Sequence, residues 1–213
     1  MGALKIGRTV MTQCATNCYF IYREGGSDAL VVDPGDHGTA LNDKLTEMGF
    51  QVKAILLTHG HFDHIGGVNA LKKVSGATVY ALDEEKTVLE NPELSMMLQY
   101  GDGSCVYPDV YLKDNEEVTI GDISFTVIHT PGHTVGSSCF YFEEDGVLIS
   151  GDTLFSESVG RSDFPTGSTS ELLRSIKDRL FTLPPGTIVY PGHGERTTIE
   201  HEMMYNPFCG SEA

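Results

Sequence analysis

Residues 52–67, VKAILLTHGHFDHIGG, run from a short apolar stretch directly into His59, His61, Asp63 and His64. VKAILL has the length and composition of a strand buried on both faces, and the four chemically active residues begin where it ends. On a loop, the His-x-His spacing lets two imidazoles bend toward one cation while Asp63 and His64 face a second. Imidazole with carboxylate is the donor set that suits zinc or iron. The plain alternative is a polar surface loop at a strand end, and three later stretches weigh against it. His133 in HTPGHT, Asp152 in ISGDTL and His193 in YPGHGE each follow an apolar strand and sit beside a glycine. Strand ends along one edge of a sheet sandwich lie close together, so residues far apart in the chain can gather there into one cluster. Glycine beside each donor lets the backbone turn sharply without a clashing Cβ.

Outward from that stretch, the chain alternates strand-like and helix-like segments. Leu4 to Met11, Cys18 to Tyr22 and Ala29 to Val32 read as an opening β-meander, and ALVVDPGD ends in a turn. Thr39 to Met48 carries leucines at helical spacing and closes on Gly49. Val68 to Val74 reads as a helix, Thr78 to Ala81 as a strand, and Asp83 to Tyr100 as a weakly helical charged stretch broken at Pro92. EEVTIG, ISFTVIHT, SSCFYFEE and GVLISGD read as strands, followed by a Gly- and Ser-rich loop from Ser156 to Ser168. Ser170 to Phe181 reads as an amphipathic helix, TIVYPGHG as a strand ending in a loop, and Thr198 to Tyr205 as a closing helix. Two runs of strands, each covered by helices, describe an α/β chain folded as an αββα sandwich. Both halves contain an apolar strand ending in an aspartate, Asp33 and Asp152.

Composition narrows the function. With 213 residues the chain is read as one domain spanning 1–213, and no apolar run approaches the ~20 residues of a membrane helix. The N-terminus shows no charged region leading into an apolar stretch, so a cytoplasmic location is expected. Five cysteines, an odd number, argue for reduced thiols, with Cys14 and Cys18 expected as small buried side chains. Fourteen basic against thirty acidic residues give a net charge of −16, which repels polyanions and disfavours nucleic acid as a partner. Bound cations can still make one pocket locally positive.

The set T-H-G-H-F-D-H, P-G-H-T, S-G-D-T and P-G-H-G, in this order along nearly the whole chain, resembles the signature of the metallo-β-lactamase superfamily. That resemblance implies the four-layer αββα fold and two divalent metal ions, zinc first, with iron or manganese as alternatives. It further implies that His59, His61 and His133 hold the first ion and Asp63, His64 and His193 the second. Asp152 would bridge them, and Asp63 and Asp152 would be the catalytic carboxylates. GRSDFPTGS at 160–168 and PGHGERTTIEHEMMYNPF at 191–208 are similar to short bacterial glyoxalase II-like hydrolases. Full-length glyoxalase II enzymes add a C-terminal helical domain for glutathione, and this sequence stops about where that domain would begin.

The expected chemistry is hydrolysis of a small anionic thioester, such as S-D-lactoylglutathione. Two cations roughly 3.5–4 Å apart would lower the pKa of a shared water toward ~7, supplying hydroxide for attack on the carbonyl. Arg161, in the loop after Asp152, is a candidate for a substrate carboxylate, although bracing the loop through Asp163 weighs slightly more. Asp33 is expected to hydrogen-bond the histidine loop from outside the ligand set, and His129 is a weaker candidate for the same service. His37 and His201 are expected to be exposed. A nuclease is disfavoured by the charge and a lactamase by the expected lack of an export signal, and two further rival readings remain. One is an iron-dependent persulfide dioxygenase, whose closing motif resembles P-x-H-D-Y where this chain has PGHGE. The other is a non-catalytic metal-binding protein of the same fold, against which the complete set of seven donors speaks.

Overall fold

The computed structural model describes residues 2–211. The first sheet comprises β1 (Leu4–Val10), β2 (Asn17–Arg23), β3 (Asp28–Val32), β4 (Gln51–Leu57), β5 (Thr78–Leu82) and β6 (Val110–Leu112), in that spatial order. The β1-β2-β3 meander is antiparallel and the β3-β4-β5-β6 portion parallel. The parallel crossovers are made by α1 (Gly38–Glu47), by α2 (Phe62–Ile65) with α3 (Val68–Ser75), and by the short α4 (Lys86–Leu89) and α5 (Met97–Tyr100).

The second sheet comprises β7 (Glu117–Ile120), β8 (Ile123–His129), β9 (Ser138–Phe142) and β10 (Val147–Gly151), followed by β13 (Ile188–Pro191) and β14 (Thr197–Thr198). Its order is β14-β13-β10-β9-β8-β7, antiparallel except for the β10–β13 pair. Between β10 and β13 come a two-stranded hairpin, β11 (Leu154–Phe155) with β12 (Ser158–Val159), and α6 (Thr169–Ser175). The last helix, α7 (Ile199–Tyr205), follows β14.

Period-two alternation divides each strand between two cores. Ala54 and Leu56 of β4 face Phe140 and Phe142 of β9 and Ile149 of β10 in the space between the sheets. Ile55 and Leu57 of the same strand face Leu41 and Leu45 of α1 and Val68 and Leu71 of α3. Likewise Cys139, Tyr141 and Leu148 pack outward on Leu172 of α6 and Ile199 of α7. The expected four layers, helix, sheet, sheet, helix, are therefore present. Each fully buried large apolar side chain in them stabilises the fold by about 1.5–3 kcal/mol relative to exposure.

The expected segments are found, except that the stretch Asp83–Tyr100 is helical only at its two ends, over 83–89 and 97–100. The reading omitted β6, β11 and β14, and the Ser156–Ser168 loop contains β12 of the small hairpin. The expected helix at 170–181 starts at Thr169, capped by the Ser168 hydroxyl, and widens into a π turn over Ile176–Leu180. Cys18, Cys139 and Cys209 are buried, but Cys14 is exposed, which corrects the expectation of a buried side chain. Cys14 and Ala15 adopt left-handed backbone (φ 52° and 56°), because the β1–β2 loop turns back to bring Thr16 beside the histidine loops. All five thiols are unpaired. Among the described residues no helix is long and apolar enough to cross a membrane.

Candidate metal centre

The carboxyl ends of β3, β4, β8, β10 and β13 open onto the same edge of the sandwich, and each leads into a residue that the sequence singled out. His59 and His61 leave β4, Asp63 and His64 lie on the single turn of α2, His133 is on the loop after β8, Asp152 follows β10, and His193 follows β13. The sheets are joined at this edge by the Ser138 N–H donating to the Thr58 carbonyl at 2.8 Å. All seven predicted donors meet.

They form two groups around one shared carboxylate. In the first, His133 Nε2 lies 2.9 Å from His61 Nδ1 and 3.2 Å from His59 Nε2. In the second, His193 Nε2 lies 3.4 Å and His64 Nε2 3.7 Å from Asp63 Oδ2. Asp152 reaches both: Oδ2 is 3.5 Å from His133 Nε2 and 3.4 Å from His193 Nε2, and Oδ1 is 3.3 Å from His64 Nε2. Within each group of three donors the facing atoms lie within 4.8 Å of one another.

Whether these residues suit a cation is answered by the atoms left without partners. Three imidazole nitrogens converging on one point cannot be satisfied by hydrogen bonds among themselves, since a single N–H serves only one pair. A tetrahedral ion with bonds of about 2.0–2.1 Å keeps its nitrogens roughly 3.3 Å apart, close to the spacing found here. In the second group, the buried His64 Nε2 and Asp152 Oδ1 face each other at 3.3 Å without a well-formed hydrogen bond and have no other partner. Such groups are costly to leave unpaired, and a divalent ion satisfies them. The donor set therefore fits two divalent cations.

Protonation separates the two groups. Burial, reinforced by neighbouring histidines, holds His59 well below its ordinary value and brings His61 down to about 3. His133 is lowered for the same first reason, against the opposing pull of Asp152. In the second group burial also disfavours the charged imidazole, but the carboxylates outweigh it. Asp152, Asp63 and Asp33 hold His64 well above its ordinary value, and Asp152 and Asp63 raise His193 to about 9. Burial pushes Asp63 up, yet His64 and the hydrogen bonds from His193 and Thr16 bring it net down to about 2.

Outer contacts fix the ligand rings. Asp33 accepts from the Thr58 N–H (2.9 Å) and hydroxyl (2.6 Å) and lies 2.9 Å from His64 Nδ1. The two strand-end aspartates thus hold opposite sides of one imidazole, Asp33 from outside and Asp152 from within. The carbonyl of Arg161, not its side chain, meets His133 Nδ1 at 2.6 Å. The Arg161 guanidinium forms a bidentate pair with Asp163 (2.9 and 2.7 Å) and lies 4.2 Å from the Phe164 ring centre, so its side chain braces the loop as weighed above. His129 meets the Val135 carbonyl at 2.9 Å and bonds no member of the seven, while His37 is exposed as expected and His201 is half-buried, its Nε2 3.0 Å from Glu157 Oε1.

Glycine works here through both dihedral freedom and space: Gly132, Gly151 and Gly194, each beside a donor, have φ of 136°, 50° and 77°. Gly192 has ordinary φ, but a Cβ there would lie 2.1 Å from Asp152 Oδ1 and 2.8 Å from the His64 ring.

Sequence reasoning missed Thr16, whose hydroxyl donates to Asp63 Oδ2 at 2.7 Å, and Glu85, buried beside the histidine loops. Glu85 sat unnoticed in an acidic run. Its spacing with Val88 and Leu89 on one helical face was the available signal, since those two are fully buried.

The Metallo-beta-lactamase superfamily profile matches residues 11–193. The chain belongs to the metallo-β-lactamase superfamily. Within it, the chain is 33% identical to the hydroxyacylglutathione hydrolase GloC of Haemophilus influenzae, over 95% of this chain and 97% of that protein. Among solved structures, BLEG-1, a B3 metallo-β-lactamase, superposes with a TM-score of 0.90 at 38% identity, covering 96% of this chain and 99% of BLEG-1. TTHA1623, solved in a di-iron-bound form, superposes with a TM-score of 0.83 at 34% identity, covering 95% and 99%. This metallo-β-lactamase superfamily member thus carries a His/Asp cluster able to hold metal, and similarity alone does not single out zinc over iron.

Proposed function

We propose that this superfamily member is a dinuclear metal-dependent thioesterase of the glyoxalase II type, acting on small anionic acyl thioesters such as S-D-lactoylglutathione. The observation that carries the reading is the convergence of all seven donors into two groups sharing Asp152. In it His59, His61 and His133 hold one divalent cation, Asp63, His64 and His193 the other, and Asp152 reaches both. Zinc is the first choice, with iron or manganese as alternatives. When bound, such cations lower the pKa of water and polarise a carbonyl oxygen.

The chain's own residues do the rest. Asp33 and the Arg161 carbonyl keep His64 and His133 turned inward, so the donor atoms need no reorganisation. Asp63 is kept ionised by His64, His193 and Thr16, so Oδ2 stays available as an anionic oxygen donor. Phe164, edge-on to His61 at 5.3 Å, and Phe155, 5.9 Å from His193, wall the centre with apolar surface that excludes water from an acyl group. The GloC relative supports a glutathione thioester as substrate.

A second reading, opening of a β-lactam ring, is supported by the likeness to BLEG-1. One panel tests both: metal analysis of the purified protein, then rates with S-D-lactoylglutathione, other acyl thioesters and a chromogenic cephalosporin, before and after chelation. Thioester hydrolysis that disappears on chelation and returns with zinc, iron or manganese is expected. A faster β-lactam rate would replace the substrate assignment. Oxygen uptake with glutathione persulfide by iron-loaded protein would replace the reaction class, and activity that persists after chelation would end the metal mechanism.

A further inference from the structure

Glu85 stands in the turn just after β5, flanked by the exposed Asp83 and Glu84, and is itself 1% exposed. Its two carboxylate oxygens receive donors from two different loops. Oε1 accepts the N–H of Gly60, the residue between His59 and His61, at 2.7 Å. Oε2 accepts the N–H of Gly136 at 2.8 Å and the hydroxyl of Thr134, next to His133, at 2.9 Å. Thr134 is held in turn by Ser137, whose hydroxyl lies 2.7 Å from its own and 3.0 Å from its N–H. The loop after His133 packs flush on this turn: a Cβ on Gly136 would lie 2.1 Å from the Glu85 nitrogen.

The Gly60 loop belongs to the first sheet and the Thr134–Gly136 loop to the second. We propose that Glu85 is a positioning residue for the tri-histidine half of the centre, a carboxylate clamp that sets the spacing between the His59/His61 pair and His133. The chemistry of the group explains the choice. A carboxylate accepts through both oxygens, so it can tie two donor-presenting loops together, whereas the isosteric amide has one acceptor and turns an N–H₂ toward the other donors. Among the described residues the surroundings of Glu85 supply no cationic partner and three donors, which favour its ionised form against the burial that raises its pKa.

The inference rests on the reading of His59, His61 and His133 as metal ligands. Its test is Glu85→Gln, measured as folded, metal-stripped protein, with folding checked by circular dichroism and gel filtration. Zinc affinity of the first and second equivalents is read by competition with a chromophoric chelator, and ligand geometry from the visible absorption of the cobalt-loaded protein. The first equivalent should bind about 10–100-fold more weakly, with a changed cobalt spectrum, while the second moves less. General softening of the fold would weaken both alike. Thr134→Val, which removes one of the three hydrogen bonds, should weaken the first equivalent by a smaller factor in the same direction, and it decides the matter if Glu85→Gln does not fold. First-equivalent affinity within about threefold of the parent, with an unchanged cobalt spectrum, in Glu85→Gln or, failing its folding, in Thr134→Val, overturns the clamp whatever the melting temperature does. A parent protein that takes up no cation overturns the clamp and the ligand reading together.

Discussion

The two halves of the centre share Asp152 yet arrive at opposite protonation states. His59, His61 and His133 are buried among other imidazoles and are held neutral, with lone pairs already available. His64 and His193 are surrounded by Asp33, Asp63 and Asp152, which hold their pKa values up, so a cation bound there would have to displace protons. The same side chain is thus a ready ligand or a proton store according to what packs beside it, and a metal site's affinity includes the work of clearing it.

Removing the shared group should have the largest effect. Asp152→Ala is expected to lower hydrolysis by about a hundred- to a thousand-fold and to weaken uptake of both cations, read by steady-state rates and metal analysis. Retention of two tightly held ions would show that the halves are independent. Next, His61→Ala and His193→Ala should separate them. The first should weaken the first zinc equivalent by more than the 10–100-fold typical of outer contacts, and the second should act on the second equivalent alone, by chelator competition.

Proton release sharpens the contrast. At pH 7 the first equivalent of zinc should release almost no protons and the second up to about two, from His64 and His193, measured calorimetrically in buffers of different ionisation enthalpy. Equal release at both steps would contradict the assigned protonation states.

The smallest effect lies in the stability of the metal-free protein. His61, lowered from 6.5 to about 3, binds fewer protons folded than unfolded, so its contribution is lost as pH falls through that window. His193, raised from 6.5 to about 9, stabilises fully below 6.5 and loses that contribution as pH rises through 9. Glu85, raised from 4.5 to about 8, adds a loss over its own window, which Glu85→Gln should remove. Urea unfolding from pH 4 to pH 9.5 should therefore trace a maximum near neutrality. A flat alkaline limb would contradict the raised His193 value.

Much of the site was legible because each donor follows an apolar strand, a pattern that local periodicity reveals. Asp33 was legible for the same reason, and its bonds to Thr58 and proximity to His64 match the expected role. β6 and β14 were not legible, being three and two residues long, too short for an alternating pattern to show. Arg161 drew notice for its charge, whereas the atom that touches the ligand shell is its carbonyl, which every residue possesses. Glu85 is acidic like its exposed neighbours and is set apart in the sequence only by its spacing with Val88 and Leu89; what it joins is decided by the two loops that lie across from it.

The sequence by itself determined the layer order and which seven side chains stand at strand ends, because both follow from short-range hydrophobic periodicity and residue type. Only the tertiary structure decided how the donors divide into a neutral half and a proton-loaded half, and which buried carboxylate joins the loops. Those properties depend on burial and on backbone donors brought together from distant parts of the chain, and no local pattern of residues encodes them.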